Sequence, residues 1–294
     1  MKTLCLLASL TLAILSVKGA NNFAGFAISN SIGGTTSYIC RTQAQWNAIA
    51  KDAKSSGFES IRITGFDCDA LDMASSAAAT EGLTLLPGIF YTGTAASSQS
   101  SILADVETFK IAYEKYGHSL YLGLAVGNEV NDTPSNIMAV VDEVRADLRA
   151  AGISLPISTV HTWVDIRDNS IFCQGDFIGA NAHAFYDGGV TAGNAGSFVF
   201  NIVVPALKAA CPGKKIMITE SGWPSRGSAN GVAVASIPNE HAALVSLNCA
   251  SRGDTSVSVF AFEYDDQLWK TNDNERSFGM FGKMTFNGDI LASC

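Results

Sequence analysis

Eight short apolar runs, each followed by a polar cluster, organise this chain: Phe23–Ser29, Ser60–Phe66, Leu83–Phe90, Leu120–Val126, Pro156–His161, Phe177–His183, Lys215–Thr219 and Ser258–Phe262. None alternates cleanly between apolar and polar residues, which fits strands buried on both faces of a parallel sheet. Helical spacing follows in Ala44–Ser55, Ile102–Tyr116, Pro134–Ala151, Phe198–Ala210 and Asn239–Ser251. Thr133-Pro134 opens the third of these and Pro238 the last, because proline suits the first helical turn, where its missing N–H costs nothing. Strand–helix alternation over about 250 residues predicts a single α/β domain, a (β/α)8 TIM barrel. A doubly wound open sheet is the competing arrangement, but no glycine-rich phosphate fingerprint follows the opening run.

The barrel is expected to occupy 21–294. Residues 1–20 read as a secretory signal to be removed, with Lys2 at the positive end, an apolar stretch from Leu4 to Val17, and the small residues Gly19-Ala20 at the cleavage region. Its loss takes Lys2 and Lys18 with it, moving the formal charge from −8 to −10. So acidic a chain lacks the basic face that phosphate neutralisation requires, which excludes a general nucleic-acid binder. No later stretch reaches the ~20 apolar residues of a membrane span, so an exported monomer without membrane insertion is expected.

Export also frames the cysteines. Cys5 leaves with the signal, and Cys40, Cys68, Cys173, Cys211, Cys249 and Cys294 remain. An even number in an oxidising compartment points to three bridges, although six cysteines allow 15 pairings. Pairing nearest neighbours along the chain gives Cys40–Cys68, Cys173–Cys211 and Cys249–Cys294; buried free thiols are the alternative. Four histidines at no metal-like spacing, and no Cys-x-x-Cys, argue against a zinc site. No metal or cofactor is expected.

In a barrel of this kind the residues just past each strand line the site. Here those are Asp67, Tyr91, Asn128 and Glu129, His161 and Trp163, then His183, Phe185 and Tyr186, Glu220 and Trp223, and finally Glu263 and Asp266. Carboxylates and rings dominate. Rings stack on the apolar faces of sugars, and paired carboxyls ~5–5.5 Å apart serve glycoside hydrolysis with retention. Two segments stand out, Val126-Gly127-Asn128-Glu129-Val130-Asn131 and Ile218-Thr219-Glu220-Ser221-Gly222-Trp223-Pro224-Ser225. Each sets a glutamate just beyond an apolar strand, and strands four and seven are expected to face one another across the mouth. The plainer reading of either glutamate is a surface carboxylate ahead of a helix.

These two segments, in this order, resemble the acid/base and nucleophile signatures of glycoside hydrolase family 17, the β-1,3-glucanases, especially its fungal cell-wall branch. The resemblance covers essentially the whole chain after the signal. It implies that Glu220 attacks the anomeric carbon, Glu129 protonates the leaving oxygen, and Asn128 holds the sugar 2-hydroxyl. Phe262-Glu263-Tyr264-Asp265-Asp266-Gln267-Leu268-Trp269-Lys270 is similar to the family's eighth-strand segment, which implies supporting roles for Glu263, Asp266 and Lys270. Gln267 stands where the family usually carries Glu, and Thr64 where it usually carries Tyr, leaving Phe66 as a substitute ring. Tyr91, Trp163, Phe185, Tyr186 and Trp223 are the expected sugar platforms, each with ordinary aromatic core as the alternative. His183 either orients the site or is a satisfied buried histidine. The acceptor pattern Asn131-Asp132-Thr133 is expected to stay unglycosylated, because Pro134 follows and a glycan would crowd Glu129.

The implied partner is β-1,3-glucan, cleaved by water or transferred to another glucan. A catalytically silent glucan-binding wall protein on the same barrel is the alternative, and retention of both glutamates argues against it. A serine hydrolase is disfavoured because no Gly-x-Ser-x-Gly elbow is present.

Overall fold

The computed structural model describes residues 21–286 and 290. The expected signal lies outside the described residues, as does Cys294. Eight parallel strands close on themselves in sequence order: β1 (Gly25–Ile28), β2 (Ser60–Ile63), β3 (Thr84–Ile89), β4 (Leu124–Asn128), β5 (Ile157–Thr162), β6 (Phe177–Asn181), β7 (Lys215–Ser221) and β8 (Val257–Phe262). β1 pairs with both β2 and β8, so the barrel has no free edge. The doubly wound alternative is thereby excluded. Leu86, Phe177, Met217 and Phe260 form a separate small apolar cluster, while the larger core includes Phe26, Ile61, Val126 and Ile178.

The helices are α1 (Gln43–Ser55), α2 (Ala70–Glu81), α3 (Ala95–Tyr116), α4 (Pro134–Ala150), α5 (Trp163–Asp168), α6 (Ala195–Phe198), α7 (Val204–Ala210) and α8 (Ile237–Ser251). Their starts are chemical. Thr42 and Thr94 make reciprocal caps with Gln45 and Ser97, and Thr133 and Ser236 cap helices whose first turn contains proline.

Two expectations need correction, and one helix was not anticipated. The run beginning at Leu120 starts too early, because His118–Leu120 is a 3-10 turn and β4 begins at Leu124. The helix expected over Phe198–Ala210 is interrupted by a π turn at Val199–Val203, just before Pro205, whose missing N–H breaks the regular ladder. Helix α2 has no counterpart in the sequence reading. Its buried face is mostly Ala70, Ala74, Ala77 and Ala78 with only Leu71 of larger size, so it carries little apolar contrast.

Cys40–Cys68 and Cys173–Cys211 are bridged as expected, with Cα atoms 5.4 and 5.3 Å apart. Cys249 is also disulfide-bonded; its expected partner lies outside the described residues. Among the described residues no helix is long and apolar enough to cross a membrane.

Candidate active site

The C-terminal ends of the strands are where pairing becomes irregular. Register shifts occur between Ala125 and Asn128 on β4, between Ala180 and Asn181 on β6, and between Ile218 and Ser221 on β7. Such bulges re-aim side chains at the rim of a barrel. Gly127 has φ +87, and a Cβ there would lie 2.6 Å from Val130 and 3.1 Å from the Tyr91 ring. Glu129 itself takes the left-handed region at φ 50, uncommon for a residue with a side chain. That turn carries the Glu129 carboxyl into the mouth, where Asn181 Nδ2 donates to its Oε1 at 2.8 Å.

Asn181 is held by its own partner, because Thr219 Oγ1 donates to its carbonyl oxygen at 2.8 Å. Glu220 follows Thr219 on β7 and meets Arg62, whose Nη1 lies 2.6 Å from its Oε1. The second Arg62 nitrogen donates to Asn128 Oδ1 at 2.8 Å. His183 Nε2 stands 3.4 Å from the other Glu220 oxygen. Thus β2, β4, β6 and β7 meet in one hydrogen-bonded network. Strands β4 and β7 are not opposite one another: β5 and β6 intervene on that side of the ring, and Asn181 of β6 reaches both Glu129 and Asn128.

The two carboxyls differ electrically. Burial alone would raise the Glu220 carboxyl, but the adjacent Arg62 charge, aided by His183, overcomes it and holds the group down at about 2. Burial raises the Glu129 carboxyl, and the negative charge of Glu220 raises it further against the opposing bond from Asn181. One group therefore stays ionised while its neighbour retains a proton more readily than an ordinary glutamate.

Both glutamates border two lobes of a cleft. The larger, about 550 Å3, is walled by Trp163, Tyr186, Phe198 and His183; the smaller, about 320 Å3, by Tyr38, Asp67, Phe90, Asn128, Trp269 and Lys270. Glu275 touches both lobes and accepts a hydrogen bond from Tyr186 Oη across the mouth. Glu263 sits at the floor of the smaller lobe; burial pushes its carboxyl up to about 7, and Lys270 Nζ lies 3.0 Å away.

Several expected platforms are elsewhere. Tyr91 is buried behind Gly127, Phe185 and Trp223 are packed against each other at 5.2 Å with Trp223 fully enclosed, and Phe66 is core. None of these four borders the two lobes. Trp223 Nε1 is spent on the Val234 carbonyl at 2.9 Å. Asp266 also faces away from both lobes, accepting from the Gly279 amide and pairing with Lys283, both at 2.8 Å. His161 is enclosed and stacked on Phe172 at 4.3 Å, and burial lowers it to about 4.

Conversely, Arg62, Asn181, Asn30, Tyr38, Phe90, Trp269 and Glu275 were not assigned from sequence. Arg62 and Asn181 did leave a signal: a charged side chain between two isoleucines, and an amide ending an otherwise apolar strand. Asn30 donates to Asp67 Oδ1 at 2.7 Å, and Tyr38 donates to the other Asp67 oxygen, forming one wall of the smaller lobe. Among the described residues no three His, Cys, Asp or Glu side chains are grouped to hold a metal ion.

A closed parallel barrel presenting two oppositely tuned carboxyls at its C-terminal rim, Glu220 buried and Glu129 at the open mouth, defines a protein of the glycoside-hydrolase class. The chain belongs to the BtgE/BtgC glycoside hydrolase family, whose profile matches residues 25–282. It is 37% identical over 242 residues to the cell surface mannoprotein MP65 of Candida albicans, covering 79% of this chain and 60% of that protein. It is 31% identical over 245 residues to the probable family 17 glucosidase SCW4 of Saccharomyces cerevisiae, covering 81% of this chain and 59% of that protein. The chain thus spans about 60% of the length of these two relatives. In structure it is similar to a glycoside hydrolase family 17 β-1,3-glucanosyltransferase from Rhizomucor miehei, with a TM-score of 0.74, 21% identity, and 90% and 97% of the two chains covered. An active-site mutant of the Rhizomucor miehei β-1,3-glucanosyltransferase, in complex with laminaritriose, has the same TM-score at 20% identity, covering 92% of this chain and 99% of that one. The resemblance to glycoside hydrolase family 17 is borne out.

Proposed function

We propose that the protein is an exported, retaining enzyme acting on β-1,3-glucan at the cell surface or wall, with Glu220 as nucleophile and Glu129 as acid/base. The observation that carries this reading is the opposite tuning of two carboxyls bordering one cleft. Glu220, kept ionised by Arg62, attacks the anomeric carbon; the glycosidic C–O bond breaks, and the leaving oxygen takes the Glu129 proton. A water or sugar hydroxyl then returns its proton to Glu129 as its oxygen displaces Glu220. Asn128, oriented by Arg62, accepts from or donates to the sugar 2-hydroxyl. The substrate class is supported by the family 17 names of relatives and by the laminaritriose complex of a structural neighbour. The location is supported by the cell-surface name of MP65.

The deciding experiment is turnover of laminaripentaose, read by mass spectrometry, with Glu220→Gln alongside. Wild type should cleave or extend the substrate, Glu220→Gln should lose at least ~1,000-fold while still binding it, and NMR should find the first-formed product in the β configuration. Products longer than the substrate identify transfer; shorter ones alone identify hydrolysis. Binding without turnover by the wild type overturns the reading in favour of a silent glucan-binding barrel.

A further inference from the structure

Gln267 is fully buried, three residues before Lys270, and does not itself border the cleft. Its two ends do different work. The amide nitrogen donates to Asp265 Oδ1 at 2.7 Å and points toward the Asp265 and Ser31 carbonyls at 3.3 and 3.5 Å. The amide oxygen accepts from Trp269 Nε1 at 2.7 Å. Trp269 borders the smaller lobe, and its indole meets Tyr38 edge-on at 5.0 Å. Tyr38 in turn donates to Asp67 on the same wall.

The anchor beneath is rigid. Asp265 also receives Arg41 Nη2 at 2.6 Å and the Gly33 amide at 3.0 Å. A Cβ on Gly33 would lie 2.3 Å from the Asp265 carboxyl carbon, so only glycine permits that approach. Because every group facing the amide nitrogen is an acceptor, that end must be a donor. Because an indole N–H only donates, the other end must be an acceptor. Only a neutral side chain with one donor end and one acceptor end satisfies both.

We propose that Gln267 is a positioning residue: it fixes the Trp269 indole against Tyr38 as the sugar-facing wall of the smaller lobe and so sets affinity for the glucan. This rests on the function proposed above. Glutamate at 267 would place an anion against Asp265 and two carbonyls, whereas methionine would leave the indole N–H without its partner; both release the ring.

The test is a double-mutant cycle between Gln267→Met and Trp269→Phe, the latter keeping a ring without an N–H. Laminaripentaose affinity is measured by calorimetry in a Glu220→Gln background, and KM and kcat in the active enzyme. Gln267→Met should weaken binding about tenfold and raise KM with kcat within about twofold. In the Trp269→Phe background it should have no further effect. Gln267→Glu should be at least as impaired. Equal losses from Gln267→Met in both backgrounds, or a fall in kcat at constant KM, would overturn the proposal, since a general structural role does not act through one indole. A protein that binds no glucan at all refutes the proposed function instead. The positioning is then read from the Trp269 indole N–H resonance, assigned by its loss in Trp269→Phe. A shift of that resonance in Gln267→Met supports the contact, and an unmoved one overturns it.

Discussion

Arg62, from the second strand, reaches Glu220, from the seventh, through a 2.6 Å ion pair in which both side chains are almost wholly enclosed. Removing one member of such a pair leaves the other charge buried and uncompensated, at a cost of about 3–5 kcal/mol. The same contact outweighs burial at Glu220 and keeps it anionic.

Arg62→Met is therefore expected to release the Glu220 carboxyl upward, toward the value burial alone would impose. The acid limb of the kcat/KM profile should move up by more than about one pH unit, together with a lower melting temperature. Arg62→Lys, which keeps the charge but loses the fork to Asn128, should move the limb less. An acid limb that stays in place in Arg62→Met would show that the guanidinium does not control Glu220.

The pH dependence has a defined sign. The proposed mechanism requires Glu220 ionised and Glu129 protonated, so kcat/KM should fall as pH rises through the Glu129 value, which lies above the ordinary 4.5. For folding, the Glu220 carboxyl is depressed from 4.5 to about 2. Its stabilising contribution is complete above 4.5 and is lost as pH falls toward 2. Carbon-13 titration of the two glutamates checks both; in Glu220→Gln the Glu129 value should drop, since part of its elevation comes from that neighbouring charge.

Trp163 and Trp223 should separate cleanly. Trp163 borders the larger lobe and is only partly buried, with Phe198 edge-on at 5.9 Å. Trp163→Ala should weaken binding of laminari-oligosaccharides and lower the melting temperature less than loss of an enclosed ring does. Trp223 is enclosed, so Trp223→Ala should cost about 3–5 kcal/mol of stability and score in denaturant unfolding rather than in oligosaccharide affinity.

The Cys40–Cys68 bridge joins the loop carrying Tyr38 to the turn carrying Asp67. Replacing both cysteines by alanine should remove roughly 3–4 kcal/mol for a loop of this length, and raise KM for laminari-oligosaccharides by loosening that wall. Thermal melts and steady-state kinetics on the same variant check the two effects. An unchanged KM would separate the bridge from the smaller lobe.

How much of this was legible beforehand depends on locality. Strand periodicity, caps at Thr133 and the proline after Ser236, and the Asn128-Glu129 and Glu220 segments are properties of a few consecutive residues. They specified eight strands, a barrel, and which two carboxyls stand at its rim. Which aromatics border the cleft was not legible, because Trp223 and Phe185 are as apolar and as close to a strand end as Trp163 and Tyr186. Only the side-chain directions separate them, and these depend on bulges in β4, β6 and β7.

The sequence alone determined the alternation that closes the barrel and the acids at its mouth, since both follow from short-range chemistry and from strands needing cover on two faces. Tertiary structure alone decided the partners. Arg62 and Glu220, Asn181 and Glu129, and Gln267 and Trp269 acquire their roles from distances that closure of the ring and its loops imposes. Charge and hydrogen bonding act over a few ångströms of space, and no linear pattern encodes which distant residues will share them.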